Sequence, residues 1–117
     1  MAHQARVTVV IPAYNAALWL RDAIASILAQ GFPEVEILVV DDGSTDQTPA
    51  IVRQFAGRVR YVYQPHGGAA AARNRAILSS NSDLVAFLDA DDFWLPGADR
   101  YRVLRHKLAQ VEPPAAR

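Results

Sequence analysis

The chain of 117 residues contains no cysteine. This excludes disulfide staples, thiolate metal sites and a cysteine nucleophile, and it leaves the redox compartment open. Lysine is nearly missing too: of the 12 basic residues only Lys107 is not arginine, so Schiff-base or P-loop lysine chemistry has almost nothing to work with. The 12 basic residues are balanced by 12 acidic ones. No whole-chain field is therefore available to gather nucleic acid or an anionic membrane, and no nucleic-acid partner is expected. No apolar run reaches membrane-spanning length. The first apolar stretch, Val7–Ile11, is short and broken by Pro12 and Asn15, which makes a poor secretory signal. The expected location is cytoplasmic, or peripheral at the inner face of a membrane through the basic run Arg100, Arg102, Arg105 and Lys107.

What the chain does have is apolar content: 51% hydrophobic residues, enough for a real core. The length fits a single domain, set at residues 1–111, with a patternless tail over 112–117. Short β-rich runs alternate with helical periods. Val7–Ile11, Glu36–Val40, Val59–Tyr63 and a run within Asp83–Leu88 read as strands, the third as an edge strand. Asn15 is placed to cap a helix with Leu20, Ile24, Ile27 and Leu28 on one face, ended by Gly31. Thr48 caps the next helix, with Pro49 at its first position, and Gly67-Gly68 opens an alanine-rich helix from Ala69 to about Leu78. Pro96 starts a last helix to about Ala109. This order predicts an α/β fold, a mainly parallel sheet of about four strands flanked by helices on both faces.

The polar clusters share one address. Pro12-Ala13-Tyr14-Asn15, Asp41-Asp42-Gly43-Ser44 and Asp89-Ala90-Asp91-Asp92 each follow a strand. In an open parallel sheet ligands bind beyond the carboxyl ends of the strands, where the winding reverses, here between the first and fourth strands. The crevice so predicted holds five carboxylates: Asp41, Asp42, Asp89, Asp91 and Asp92. Such crowding calls for a cation, and oxygen donors without His or Cys favour Mg²⁺ or Mn²⁺ with substrate phosphates completing the shell. Arg73 and the amino end of the helix behind Gly67-Gly68 suit a diphosphate. Neither a Walker-type loop nor Gly-x-Gly-x-x-Gly is present.

Val-Thr-Val-Val-Ile-Pro-Ala-Tyr-Asn, Val-Val-Asp-Asp-Gly-Ser-Thr-Asp, Ala-Arg-Asn-Arg and Phe-Leu-Asp-Ala-Asp-Asp occur in that order between Val7 and about Pro96. Together they resemble the N-terminal half of family 2 glycosyltransferases, inverting enzymes of Rossmann-like GT-A fold. The resemblance implies a nucleotide-diphospho-sugar donor, usually of uridine, a divalent metal, and transfer to an acceptor such as a growing cell-envelope polysaccharide. It implies that Pro12, Ala13 and Tyr14 line the nucleotide and that Asp42, with Asp41, hydrogen-bonds the base. By the same likeness Arg73 nears the diphosphate, Asp89 and Ala90 meet the ribose, and Asp89, Asp91 and Asp92 serve the metal. The general base of such enzymes lies after this motif. The acids left there, Asp99 and Glu112, do not match it, so no catalytic base is identified and the chain reads as a truncated donor-binding portion.

Other readings stand beside this one. A binding module without transfer activity needs the same loops. A receiver-type phosphoacceptor domain needs a lysine at a late strand end, which is lacking. A nucleotidyltransferase needs an early Gly-rich basic loop, also lacking. Trp19 and Trp94 read as packing residues; His3, His66, His106 and Arg75 read as surface residues. A bare edge on the fourth strand is the expected route to a homo-oligomer.

Overall fold

The computed structural model describes residues 7–31 and 34–93. Strands β1 (Val7–Ala13), β2 (Val35–Asp41), β3 (Arg60–Tyr63) and β4 (Leu84–Phe87) alternate with helices α1 (Leu20–Leu28), α2 (Thr48–Arg53) and α3 (Ala69–Ser79). The strands form one sheet in the order β3-β2-β1-β4. Every neighbouring pair is parallel, with Val7 opposite Val35 and Leu84, and Leu38 opposite Arg60. β3 is an edge strand as expected, and β1 lies beside β4, where the winding reverses.

The sheet is covered on both faces because its central strands are apolar on both. Val9 and Ile11 of β1 and Ile37 and Val39 of β2 pack with Leu20, Ile24 and Ile27 of α1 and Val52 of α2. The alternate residues Val10, Leu38, Val40 and Val85 pack with Ala72 and Ala76 of α3. Each fully buried Val, Leu or Ile contributes about 1.5–3 kcal/mol through removal from water. The two alanines leave no bulk to hold α3 away from the strands.

Three local expectations are corrected. Asn15 does not cap α1. It sits at φ +50°, a left-handed conformation that asparagine tolerates, and the Ala16 carbonyl accepts the Leu20 N–H at 2.9 Å to begin the helix. The cap of α2 comes from Asp46 rather than Thr48: its Oδ1 accepts the Thr48 N–H at 2.9 Å and the Thr48 hydroxyl at 2.6 Å. Trp19, expected to pack, is half exposed. β2 runs one residue further at each end than expected and so includes Asp41. Gly31 does end α1, at φ +72°. Among the described residues no helix is long and apolar enough to cross a membrane. The expected helix Pro96–Ala109, its basic run, Trp94, Asp99, Glu112 and the boundary at 111/112 lie outside the described residues.

Candidate functional site

The carboxyl ends of β1, β2 and β4 lie side by side in the sheet. The loops that follow them are laced together. The Asp42 N–H donates to the Ala13 carbonyl at 2.8 Å, and the Asn15 N–H to Ser44 Oγ at 2.9 Å. The Thr45 N–H donates to Asn15 Oδ1 at 2.8 Å, and the Ala16 N–H to Thr48 Oγ1 at 3.1 Å. Asp46 Oδ2 also accepts the Ala17 N–H at 3.1 Å. Asn15 is thus a cross-brace between the first and second loops. Burial pushes the Asp46 carboxyl up, but the Thr48 and Ala17 donors outweigh it and hold the group below its ordinary value.

The two consecutive acids of the second loop part company. Asp41 follows Ile37 and Val39 on the α1/α2 face and is completely buried. Its Oδ1 accepts the Ser44 N–H at 2.8 Å and its Oδ2 the Tyr61 hydroxyl at 2.6 Å. Burial, then the Asp41 carboxylate, pushes the Tyr61 phenol up. Both Asp41 oxygens are thus engaged within the fold, where they anchor β2 to β3 and to the loop that follows β2.

Asp42 faces the other way, toward the start of α3. It is 4% exposed, and its Oδ1 accepts Gln64 Nε2 at 2.8 Å and the Gly67 N–H at 2.9 Å, while Oδ2 accepts the Gly68 N–H at 2.9 Å. Burial raises its pKa, but these donors and the neighbouring His66 more than compensate, and the net effect is a lowered carboxyl. The two N–H groups just before α3 are thus taken by a carboxylate of the chain itself.

Tyr14 is half exposed, and its ring lies 4.3 Å centroid to centroid from the His66 ring, tilted by 34°. His66 Nδ1 is 3.1 Å from the Asp42 carbonyl oxygen and 3.1 Å from Asp42 Oδ2. His66, read from the sequence as an isolated surface residue, is exposed but belongs to this cluster. Pro12 is half-buried; Ala13 is buried, and its carbonyl is committed to Asp42, so Ala13 holds the loop.

On β4 the Leu88 N–H still bonds the Val10 carbonyl at 2.9 Å, and the Asp89 carbonyl accepts the Asp92 N–H at 2.9 Å, closing a turn. Ala90 is buried in the core while Asp89, Asp91 and Asp92 are exposed. The small middle residue pins the turn and leaves the acids outside. Among the described residues no three His, Asp or Glu side chains gather closely enough to hold a cation. Asp89, Asp91 and Asp92 stand along one exposed turn, while Asp41 and Asp42 are buried and bonded within the fold. Arg73 stands exposed on α3 without a hydrogen bond or ion pair among the described residues.

The family model for glycosyl transferase family 2 matches residues 8–107. A putative teichuronic acid biosynthesis glycosyltransferase of Bacillus subtilis is 42% identical over 92 residues, covering 75% of this chain and 36% of that protein. Among solved structures, Staphylococcus aureus TarS in complex with UDP-GlcNAc superposes with a TM-score of 0.72 at 29% identity, over 86% of this chain and 30% of that one. The mannosyltransferase PcManGT of Pyrobaculum calidifontis, in complex with GDP-Man and Mn²⁺, gives a TM-score of 0.73 at 30% identity, over 92% of this chain and 33% of that one. The chain spans about a third of the length of these proteins. The fold is that of the GT-A glycosyltransferases. With its family model matched over most of its length, the chain belongs to glycosyl transferase family 2.

Proposed function

We propose that this domain binds the nucleotide-diphospho-sugar donor of a glycosyltransferase, with a uridine nucleotide as the first candidate, for transfer of the sugar to an acceptor. The observation that carries the reading is the meeting of three differently equipped loops at one end of the sheet. These are an open aromatic ring at Tyr14, the fixed polar wall around Asp42, and a turn that presents Asp89 and Asp91 from a buried Ala90. The solved relatives hold UDP-GlcNAc, or GDP-Man with Mn²⁺, which supports a nucleotide sugar as the ligand class.

In this reading Tyr14 and Pro12 border the base, Asp42 shapes the wall beneath it, and Asp89 faces the ribose. Arg73, exposed and without an internal partner, is available to the diphosphate. The donor set fits a hard divalent cation: the exposed groups on the turn are all carboxylates, and one or two suffice when phosphate and water complete the shell. Asp91 would hold it, with Asp89 or Asp92 beside it. When bound, such an ion neutralises charge on the departing diphosphate. The chain's own contribution is to fix the base and ribose so that the sugar lies at the open end of the crevice.

Calorimetry with UDP tests this. Binding in the presence of Mn²⁺ should vanish in chelator. Loss of an outer-shell partner to a metal ligand typically costs 10–100-fold, so Asp91→Ala, which removes a ligand itself, should weaken binding at least about tenfold. Metal-independent UDP binding that Asp91→Ala leaves unchanged refutes the assignment.

A further inference from the structure

His66 has no role in the donor site as described, yet its surroundings are specific. Its Nδ1 lies 3.1 Å from both the Asp42 carbonyl oxygen and Asp42 Oδ2, and its ring lies 4.3 Å from that of Tyr14. Asp42 is itself immobilised by Gln64, Gly67 and Gly68. The main chain of His66 is held as well. A Cβ added to Gly43 would fall 2.7 Å from the His66 nitrogen and 3.0 Å from its Cα, so the loop after β2 and the loop before α3 touch backbone to backbone. The imidazole is thus fixed at its root and at one nitrogen, and its ring meets a tyrosine that is otherwise half exposed.

The geometry points to His66 as a positioning residue for nucleobase recognition: it holds the Tyr14 ring at a set angle, so that the open part of that ring offers a ready stacking surface to a planar base. This inference rests on the nucleotide reading above. Without a neighbour, an exposed tyrosine samples several rotamers, and a ligand must select one at an entropic cost. With His66 in place that selection is made on folding. The grip works in the imidazolium and in the neutral tautomer carrying the proton on Nδ1, since either donates toward Asp42. His66 therefore acts through Tyr14 and need not touch the nucleotide.

A double-mutant cycle on the full chain tests this, using calorimetry with Mn²⁺ and whichever of UDP and GDP the wild type binds more tightly. Aromatic pairs are coupled strongly enough that His66→Ala should weaken the nucleotide about three- to tenfold. In a Tyr14→Ala background the same change should cost less than about twofold, because the partner is gone. His66→Phe, which keeps a ring beside Tyr14, should recover part of the loss, and inorganic pyrophosphate with Mn²⁺ should bind wild type and His66→Ala equally. Equal losses in both backgrounds, no recovery by His66→Phe, or a matching loss for pyrophosphate would each overturn the inference while leaving the donor site standing. Failure of the wild type to bind either nucleotide overturns the donor reading and this inference together.

Discussion

Replacing Asp42 by asparagine tests the joint between β2 and α3. The carboxylate is 4% exposed and accepts Gln64 Nε2 at 2.8 Å and the N–H groups of Gly67 and Gly68 at 2.9 Å each. Asparagine keeps one oxygen, enough for Gln64 and Gly67, and turns an NH₂ group toward the Gly68 N–H. The bond from the Gly68 N–H is lost, the remaining bonds lose their charge assistance, and the NH₂ group faces both the Gly68 N–H and His66 Nδ1. Hydrogen bonds to charged groups contribute about 1.5–3 kcal/mol, and Gly68 is only half-buried, so water recovers part of this. The expected loss is about 2 kcal/mol. Its pH dependence has a definite sign. Burial alone would raise the Asp42 pKa, but the donors and His66 outweigh it, so the folded value lies below the ordinary 3.8. A depressed carboxyl contributes stability above the unfolded pKa and loses it as pH falls through the folded one. Urea unfolding followed by circular dichroism should therefore show the full gap between wild type and Asp42→Asn at pH ~7 and a shrinking gap below pH ~4. Asp46 titrates in the same direction but is present in both proteins, so it cancels in the difference. A gap under about 0.5 kcal/mol at neutral pH, or one that stays constant into acid, refutes the reasoning.

Two further substitutions probe the same architecture. Gly43→Ala places a side chain at φ +86° and 2.7 Å from the His66 nitrogen; the left-handed conformation alone costs about 1–2 kcal/mol, and the contact adds to it. Thermal unfolding should show a loss of at least that size, and calorimetry a weaker UDP affinity. Tyr61→Phe strips the fully buried Asp41 of a 2.6 Å donor and should cost about 1–3 kcal/mol in urea. Nucleotide affinity should stay unchanged, since Asp41 faces the α1/α2 layer; a parallel loss of UDP binding would place Asp41 at the ligand after all.

The strands were legible because Val7–Ile11 and Glu36–Val40 are nearly continuous β-branched or apolar runs, which suits strands buried on both faces. That the carboxyl ends of β1, β2 and β4 lie side by side was legible from the parallel order alone. The division of labour between Asp41 and Asp42 did not. Ending β2 at Val40 hid the alternation that sends Asp41 into one core and Asp42 toward α3; one more residue of strand would have separated them. Asn15 reads as a cap in the sequence because asparagine serves equally well in a cap and at positive φ, and only the distant Ser44 and Thr45 decide between them. His66 depends on contacts with Tyr14 and Asp42, far off in sequence, and no local pattern announces those.

The seam between β1 and β4 has a thermodynamic consequence for the acidic turn. β1 is registered to β2 from Val7 to Ala13, but to β4 only from Val7 to Val10. At its far end that short seam is tied by Thr8 Oγ1 and Ser82 Oγ at 2.6 Å, groups 74 positions apart in the chain. Among the described residues β4 pairs with β1 alone, over four positions, so it has few hydrogen bonds to lose and belongs with the elements expected to open early. The turn bearing Asp89 and Asp91 hangs from that strand. A ligand that engages the turn and the Tyr14 loop together binds only the closed form, and its binding free energy is then also local folding free energy for β4. On the proposed reading, a bound nucleotide sugar would therefore act as a clasp between β1 and β4.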